Sequence, residues 1–343
     1  MTSQTVFRLK ETTGPSGLIK LEELIPSPRA HEVLVRIHAV SLNYRDHVIS
    51  IGAYPVGTKK DVVPFSDMAG EVVALGEDTR DFKIGDRVTA NFDLFHYFGR
   101  KSSHDGALGA PIDGVLQEYR VFNETSLLHI PSHLTYEEAS CWPCAGVTAW
   151  NALFGGIPLI PGQTVLFQGT GGVSISGLIL AHAAGARTIV TSSSDEKLEL
   201  ATKLGATHVI NYKKRPDWEK VVLELTNDVG VDFIFDNVGI TEIDKCFTCV
   251  AKGGVITAIG FLGGLQQGSY PNVSMLAIIR AATLRGINVG SKQLHHDLLR
   301  FVEVKQLRPY IDKVFSFEEA PSALEYLASG GHFGKIVVRV SRQ

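Results

Sequence analysis

A glycine-rich turn between a predicted strand and a predicted helix constrains the fold of this chain more than any other feature. An apolar run at 164–168 leads into Gly-Thr-Gly-Gly at 169–172, and a helical stretch follows. Gly169 permits a tight turn, and the missing side chain of Gly171 lets the backbone approach a pyrophosphate closely. The start of the helix offers unpaired N–H groups and a positive dipole end to that anion. The turn therefore predicts a binding site for a dinucleotide.

Beyond this turn, β-branched runs alternate with helical stretches. The predicted strands lie at 164–168, 188–191, 208–211, 231–236, 254–260 and 283–289. Helices are expected between them, for example at 174–184 and 195–204. Ser174 stands where the dinucleotide fingerprint has its third glycine, and it is small enough to keep helix and strand close. The alternation predicts an α/β fold with a Rossmann doubly wound parallel sheet over residues 125–290.

The rest of the chain, residues 1–124 and 291–343, is predicted to form a second domain rich in short strands. Strand-like runs at 33–37 and 70–75 are bounded by turn-forming residues. Residues 91–113 are irregular and are expected to form a long surface lobe, which is often functional in a compact domain. Two further helices and a final strand are expected near 294–305, 318–329 and 335–340.

Composition limits the partners that the protein can have. Its 343 residues suggest about two domains. A formal net charge of −3 gives no reason to expect binding to nucleic acid or to an acidic membrane surface. The first residues lack the apolar core of a signal peptide, and no apolar run approaches the ~20 residues of a membrane span. We expect a cytoplasmic protein that acts on small molecules, with neither nucleic acid nor membrane as a partner.

The four cysteines form two C-x-x-C pairs, Cys141 with Cys144 and Cys246 with Cys249. Such pairs could hold a shared zinc ion or work as redox pairs. Structural zinc pairs usually lie roughly 15–20 residues apart, whereas about a hundred residues separate these two. The second pair also lies in a helix-like stretch, where a spacing of three residues packs a core. The pattern therefore does not predict a shared metal site.

The end of the second predicted strand bears on the choice of cofactor. NAD enzymes tend to place an acid there to bond the ribose hydroxyls. Here three serines at 192–194 end the strand and Lys197 follows, a combination suited to a 2′-phosphate. Asp195 and Glu196 could instead reach a ribose, and Ser194 could simply cap the next helix with both acids in its first turn. The pattern favours NADPH over NADH.

The sequence resembles the medium-chain dehydrogenase/reductase superfamily, close to its zinc-free quinone oxidoreductase and alcohol dehydrogenase-like branch. The shared motifs keep the family's order over nearly the whole chain: Ser-Leu-Asn-Tyr-Arg-Asp at 41–46, segments 64–70, 85–88 and 145–150, the glycine turn, 236–239, and the closing Gly334-Lys335. The resemblance implies that the β-rich domain is a GroES-like catalytic domain. It also implies a homodimer, because the sixth strands of two subunits pair in that family.

The sequence departs from the zinc-dependent members at the metal site. Those members hold catalytic zinc with a Cys, a His and a third ligand that is often Cys. The corresponding positions here are Asn43, Ser66 and Cys144, of which only the cysteine is a good zinc ligand. The lobe at 91–113 also lacks the four cysteines that hold a structural zinc in some members. We therefore expect a protein without zinc.

Without a Lewis acid, nothing lowers the pKa of an alcohol hydroxyl, so reduction of a polarised acceptor such as an enone or a quinone is favoured. The resemblance places residues 43–46 beside the nicotinamide. We predict that Tyr44 donates a proton or stabilises the oxyanion, and that Asn43 orients the substrate. Tyr44 could instead only line the pocket. Asp46 is expected to bond backbone at the helix start rather than to act as a second acid.

Further cofactor contacts are expected where strands end, since loops at that edge line the crevice of an open α/β sheet. Segments 260–262 and 289–291 follow the fifth and sixth strands, Tyr212 follows the third, and Thr148 corresponds to the family's threonine on the nicotinamide side. The predicted cofactor contacts are Thr148, Gly169, Thr170, Gly171, Gly172, Val173, Ser192, Ser193, Lys197, Tyr212, Asn237, Gly260, Phe261, Leu262, Val289 and Ser291.

Two alternative functions remain open at the level of sequence. The first is NADPH-dependent reduction of an aldehyde or a ketone, with Tyr44 donating the proton. The second is a non-catalytic NADPH-binding protein, since a fold alone does not guarantee chemistry. The physiological substrate depends on the loops at 50–60 and 91–113, whose shapes the sequence does not give.

Overall fold

The computed structural model describes residues 2–101, 106–264 and 270–341. Among these residues, none of the helices combines the length and the apolar character that crossing a membrane would require. The chain divides into two compact units: the first comprises Met1–Val147 and Gly290–Gln343, and the second comprises Thr148–Val289.

The division lies later in the chain than the local pattern indicates. The sequence predicts a boundary after residue 124, whereas residues 125–147 belong to the first unit. The strand Leu127–His129 in this segment pairs antiparallel with Arg87–Ala90, and the helix Tyr136–Ala139 packs against other strands of the first unit. These partners are distant in sequence, so the local pattern could not reveal them.

Strands and helices follow one another along the chain as predicted in outline. The first stretch contains β1 (Ser3–Leu9), β2 (Leu18–Leu24), β3 (Glu32–Ser41), α1 (Tyr44–Ser50), β4 (Asp67–Leu75), β5 (Arg87–Ala90), β6 (Tyr119–Asn123), β7 (Leu127–His129), α2 (Tyr136–Ala139) and a π-helical turn at Trp142–Gly146.

The second unit and the final stretch of the first unit follow. The next elements are α3 (Val147–Phe154), β8 (Thr164–Gln168), α4 (Gly172–Ala183), β9 (Arg187–Ser192), α5 (Asp195–Lys203), β10 (His208–Asn211), α6 (Trp218–Leu225), β11 (Val231–Asp236), α7 (Ile243–Cys249), β12 (Val250–Ala258), α8 (Val273–Arg280) and β13 (Thr283–Gly286). The last elements are α9 (Lys292–Lys305), β14 (Ile311–Ser316), α10 (Ala320–Ala328) and β15 (Lys335–Arg339).

In the first unit, a mostly antiparallel sheet has the strand order β14-β15-β3-β4-β5-β7, and β6 also pairs with β3. Most of β3 is buried, and apolar side chains such as Val35, Ile37 and Val40 contribute to the core. At the end of this strand, Ser41 pairs with Val337 of β15 and with Asp67 of β4. The register therefore brings the start of α1, the start of β4 and the start of β15 together.

The described part of the second unit contains a parallel sheet with the strand order β10-β9-β8-β11-β12-β13. Counted from β8, this is the doubly wound order 3-2-1-4-5-6, in which the direction of strand addition reverses between β8 and β11. Ligands of such sheets bind at the carboxyl ends of the strands, next to that reversal. The predicted α/β fold with a doubly wound parallel sheet is confirmed.

Two strands end earlier than predicted. The fifth strand of this sheet stops at Ala258 rather than at residue 260, because the N–H groups of Ile259 and Gly260 both turn to the carbonyl oxygen of Asp236. The sixth stops at Gly286 rather than at residue 289. The backbone leaves the extended conformation there, and Val289 has a positive φ of 50°.

Helix α4 packs closely on the sheet through a glycine. A Cβ atom added at Gly177 would lie 2.5 Å from the ring of Phe167, which contacts Phe235 edge-on at 4.7 Å. Ser174, in the first turn, instead donates a 2.8 Å hydrogen bond from Oγ to the carbonyl oxygen of Gln168. Gly177 therefore permits the close approach of helix and sheet, and Ser174 fixes the end of β8.

Candidate functional site

The glycine turn has the geometry of an anion cradle. Gly169 adopts φ +76°, which favours glycine, and its N–H donates to the Thr191 carbonyl oxygen at 3.0 Å. Gly171 is extended and precedes α4, with Thr170 buried between the two glycines and Gly172 and Val173 half-buried in the first turn. A Cβ added at Gly169 or Gly171 would meet no atom within 4 Å. The open backbone at a helix N-terminus fits a diphosphate.

A buried amide holds this turn from behind. The side-chain nitrogen of Asn237 donates to the Gln168 carbonyl oxygen at 3.1 Å and to Ser174 Oγ at 2.9 Å. The Asn237 backbone N–H donates to Gln168 Oε1 at 3.1 Å. These bonds tie the end of β11 to the end of β8. A direct contact of Asn237 with a cofactor stays a prediction, and its observed partners give it a supporting role.

The predicted 2′-phosphate segment begins where β9 ends. Ser192 is buried, and its Oγ accepts from the N–H of Ser194 at 3.3 Å. Ser194 caps α5 by accepting from the N–H of Lys197 at 3.3 Å, which confirms the capping role. Ser193 and the Lys197 side chain are half-buried beside it. Hydroxyls and an ammonium group thus follow the second strand of the sheet.

Of the two acids that could reach a ribose, Asp195 already has partners, whereas Glu196 is exposed. The Asp195 carboxylate accepts from Lys214 Nζ at 2.5 Å and from Asn211 Nδ2 at 2.7 Å. The hydrogen bond from Lys214 is the main reason that the pKa of this carboxyl lies below its usual value. Sequence reasoning missed Lys214, although it belongs to a basic run at 213–215 directly after β10.

Other predicted contacts lie at the carboxyl ends of strands in the second unit. Tyr212 is exposed, and its N–H donates to the Ser192 carbonyl oxygen at 3.0 Å. A Cβ at Gly260 would lie 2.8 Å from the Asn237 carbonyl oxygen, so the loops after β11 and β12 approach closely. The side chains of Phe261 and Leu262 next in the chain are exposed.

The last predicted contacts lie at or near the limits of the two units. Thr148 is buried in the first turn of α3. Val289 is also buried, and its carbonyl oxygen accepts from Asn151 Nδ2 at 2.6 Å. Ser291 belongs to the first unit, where it caps α9 by accepting from the N–H of Leu294 at 3.3 Å. Whether these residues contact a cofactor stays a prediction.

In the first unit, the start of α1 carries the predicted catalytic residues. The N–H of Asn43 donates to Asp46 Oδ2 at 2.7 Å, so Asp46 bonds backbone at the helix start as expected. Burial raises the pKa of the Asp46 carboxyl to about 7. Tyr44 is the first residue of the helix and is 44% exposed, with its ring 5.9 Å from that of His47. Its catalytic role stays a prediction.

A polar network, formed by the buried Ser66, Asp67 and Lys335 and the half-buried Asn43 and Cys144, lies beside this helix start. Lys335 Nζ donates to Asn43 Oδ1 at 2.7 Å and lies 3.8 Å from Asp67 Oδ2. Asp67 accepts from Ser66 Oγ at 2.6 Å and from the N–H of Cys144 at 3.0 Å. Asn43 Nδ2 contacts Ser66 Oγ at 3.4 Å. The sequence motif Gly334-Lys335 marked the lysine, but not its partners.

The three positions that align with zinc ligands do not fit that ion. Asn43 Oδ1 already accepts from an ammonium group, and Ser66 Oγ donates to a carboxylate. Of the three, only Cys144 has a side chain that is a good zinc ligand, and zinc needs three protein ligands in a catalytic site. Within the described ranges, no group of three or more His, Cys, Asp or Glu side chains is arranged to hold a metal ion.

The two cysteine pairs lie in different units, Cys141 and Cys144 in the first and Cys246 and Cys249 in the second. All four are free thiols. Cys246 and Cys249 are buried in α7, where Gln168 Nε2 donates to Cys246 Sγ at 3.2 Å. Burial raises the pKa of the Cys249 thiol to about 12. The second pair packs in a core, as its spacing predicted.

An arginine that sequence reasoning missed fixes the surface lobe to α1. Arg45 Nη1 donates to the Leu108 carbonyl oxygen at 2.8 Å. Its guanidinium also lies 4.9 Å from the ring centre of Tyr54 and 5.0 Å from that of Phe92. Because these partners come from both predicted substrate loops, Arg45 couples their positions to the helix that carries Tyr44.

Known proteins resemble the chain along most of its length. An alcohol dehydrogenase GroES-like domain family matches residues 29–132, and a zinc-binding dehydrogenase family matches residues 172–304. A zinc-type alcohol dehydrogenase-like protein of Schizosaccharomyces pombe is 44% identical over 316 residues, 90% of this chain and 91% of that protein. A quinone oxidoreductase of Pseudomonas aeruginosa is 30% identical over 334 residues, 95% of this chain and 96% of that protein.

Solved structures extend the similarity to three dimensions. The crystal structure of an NAD-dependent alcohol dehydrogenase matches with a TM-score of 0.89 at 30% sequence identity, covering 98% of this chain and 100% of that chain. Both units are therefore similar to those of known dehydrogenases.

Proposed function

This chain belongs to the medium-chain dehydrogenase/reductase superfamily, and from this premise we propose that it is an NADPH-dependent oxidoreductase that works without zinc. We propose that its acceptor is a quinone or an α,β-unsaturated carbonyl compound. The oxidoreductase class and the binding of a nicotinamide dinucleotide follow from the family. The cofactor, the acceptor and the absence of zinc are our proposals.

The observation that carries the proposal is the donor set at the position of the family's metal. An amide, a hydroxyl and a thiol stand there, and an ammonium group bonds the amide. This set suits hydrogen bonding to an oxygen that becomes negative better than it suits binding of a cation. Some relatives are named as zinc-type proteins, but zinc binding depends on the residues that this chain has at the metal-ligand positions.

NADPH is favoured by the charges after β9 and β10. Ser192 and Ser193 supply hydroxyl groups and Lys197 an ammonium group, while Lys214 neutralises Asp195. A 2′-phosphate is attracted to these groups, whereas the exposed carboxylate of Glu196, in the same segment, would repel it. One solved relative is an NAD-dependent enzyme, and it differs from this chain in the cofactor that we propose.

The residues of the chain divide the work in the proposed reaction. The reduced nicotinamide supplies the hydride when it is bound. The backbone at Gly169 and Gly171 holds the diphosphate, and Asn43 Nδ2 donates to the acceptor oxygen as that oxygen gains charge. Tyr44 supplies the proton that completes the reduction.

A panel of acceptors tests the proposal. Purified protein is given NADPH or NADH with a 1,4-quinone, an enone, an aldehyde and a ketone, and oxidation of the cofactor is followed by absorbance. We expect turnover with the quinone or the enone and a higher kcat/KM for NADPH than for NADH. Faster turnover of the aldehyde or the ketone would favour the alternative carbonyl reductase, which the names of several relatives also suggest. Binding of NADPH without any turnover would favour a non-catalytic role.

A further inference from the structure

Lys335 is a buried cation in the first unit, with 3% of its surface exposed. A buried charge is unfavourable unless it is paired and hydrogen-bonded. Its ammonium group donates to the Leu42 carbonyl oxygen and to Asn43 Oδ1, both at 2.7 Å. The lysine is thus held at the end of β3, where the chain enters α1.

Asp67 carries the carboxylate nearest to this ammonium group, but two uncharged oxygen atoms lie closer to it. Asp67 Oδ2 lies 3.8 Å from Lys335 Nζ, beyond the length of a hydrogen bond. Asp67 instead accepts from Ser66 and from the Cys144 backbone at 2.6 and 3.0 Å. The carboxylate therefore balances the charge of the lysine, while the short bond of the lysine goes to the amide of Asn43.

A cation that is hydrogen-bonded to an amide oxygen also affects the amide nitrogen. It draws electron density from the nitrogen, which makes the N–H groups stronger donors, as in cooperative hydrogen-bond chains. Asn43 Nδ2 has a long contact of 3.4 Å with Ser66 Oγ. A bond of that length is weak enough to be exchanged for a better acceptor.

We propose that Lys335 is a positioning residue for acceptor reduction, whose buried ammonium group orients and polarises the Asn43 amide so that Asn43 Nδ2 donates strongly to the acceptor oxygen. Lys335 would thereby bring positive charge to the place where zinc-dependent relatives keep a metal ion. The inference rests on the proposed function, because it assumes an acceptor whose oxygen becomes negative.

The test has to separate this role from simple structural support, because removing Lys335 alone leaves Asp67 buried without a counter-ion. The double variant Lys335→Met with Asp67→Asn removes both charges. If Lys335 acts through Asn43, kcat for acceptor reduction falls roughly tenfold or more in this folded, charge-balanced variant. If Lys335 only balances the charge of Asp67, the double variant folds and keeps the wild-type kcat. That result would overturn the inference.

A double-mutant cycle adds a second criterion. In an Asn43→Ala background, the same pair of substitutions should lower kcat much less than it does in wild type, because the amide through which the lysine acts is missing. Additive losses would contradict the inference. The dissociation constant for NADPH, measured by fluorescence, should change little in all these variants. Lys305→Met, at an exposed position of α9, is the matched control and should leave every value unchanged.

A spectroscopic measurement decides the question without any turnover. The side-chain amide of Asn43 gives a ¹⁵N–¹H NMR signal that is assigned by its loss in Asn43→Ala. We expect this signal to move upfield when Lys335→Met and Asp67→Asn are combined, since the cation on Oδ1 is removed. An unchanged shift would overturn the inference even if the acceptor panel succeeds. Conversely, an upfield shift in a protein that reduces none of the acceptors would overturn the proposed function alone.

Discussion

At the scale of single residues, Gly171 bears most directly on cofactor binding. Its backbone is extended, which any residue can adopt, and a Cβ there would project into open space. Gly171→Ala should therefore fold as well as wild type while occupying the volume of the diphosphate. We expect the dissociation constant for NADPH, measured by fluorescence titration, to rise roughly tenfold, which is about 1.4 kcal/mol.

The control for this substitution is Gly57→Ala, at an exposed glycine whose added Cβ would also meet nothing within 4 Å. It should leave NADPH affinity unchanged. If Gly171→Ala binds NADPH as tightly as the control does, the diphosphate does not rest on this turn.

Lys197 determines, in our proposal, which dinucleotide is preferred. In Lys197→Glu a carboxylate replaces the ammonium group. It should repel a 2′-phosphate and affect a ribose hydroxyl only slightly. We expect NADPH affinity to fall roughly tenfold or more and NADH affinity to change far less. Lys220→Glu, at an exposed position of α6, makes the same charge change elsewhere in the second unit. Equal losses for both cofactors in Lys197→Glu would refute the assignment.

The polar network around Asn43 could be predicted from the sequence only in part. Asn43, Ser66 and Cys144 could be identified because they stand at the positions of known ligands. That Lys335 bonds Asn43 could not, since the two residues are 292 positions apart and meet only through the pairing of β3 with β15. Likewise, Lys214 follows β10 in sequence, but its bond to Asp195 depends on the pairing of β10 with β9.

At the scale of elements, α9 carries a buried histidine that makes stability depend on pH. His295 is fully buried, and burial lowers the pKa of its imidazole to about 3. The folded state therefore resists protonation, while the unfolded chain protonates near pH 6.5. Stability is retained above about pH 6.5 and is lost progressively as pH falls toward 3.

His295→Phe should remove this dependence. As pH falls from about 6.5 to 4, the unfolding free energy of wild type should decrease by a few kcal/mol more than that of the variant. Urea unfolding at several pH values measures it. His208→Phe, at an exposed position of β10, is the control and should show the same pH dependence as wild type. Parallel pH profiles for His295→Phe and wild type would show that His295 is not responsible.

Elements with strong local signals were predicted well. The strands at 164–168, 208–211 and 231–236 have the predicted bounds, because apolar β-branched runs are delimited there by glycine or polar residues. The end of β12 was predicted two residues too late, because hydrogen bonds from the following loop to Asp236 replace the strand there. The end of β13 was predicted three residues too late. Such terminations depend on partners that the local sequence does not contain.

At the scale of the whole molecule, β13 is an outer strand of the described parallel sheet, and the resemblance implies that it pairs with a second copy. Apolar side chains on the adjoining helix α8 are exposed, with Ile278 at 72% and Ile279 at 62%. The residues of β13 are mostly exposed, and an outer strand beside an apolar helix face favours association. We therefore propose a homodimer through this edge.

Ile278→Asp should weaken that dimer without unfolding the subunit, because the side chain is exposed in the single chain. Sedimentation velocity should show wild type as a dimer and the variant shifted toward monomer. Val229→Asp replaces another exposed apolar residue of the second unit and should remain dimeric. A monomeric wild type, or a variant as dimeric as wild type, would exclude this interface.

The most direct test of the central claim is the dependence of activity on zinc in a single preparation. Protein treated with a chelator and freed of metal is assayed for NADPH oxidation with the best quinone or enone, while zinc is titrated back and the bound metal is measured. We expect full activity in the metal-free protein and no gain on adding zinc. Activity that is absent without metal and rises in proportion to bound zinc, one ion per chain, would contradict a reduction carried by Asn43, Tyr44 and Lys335.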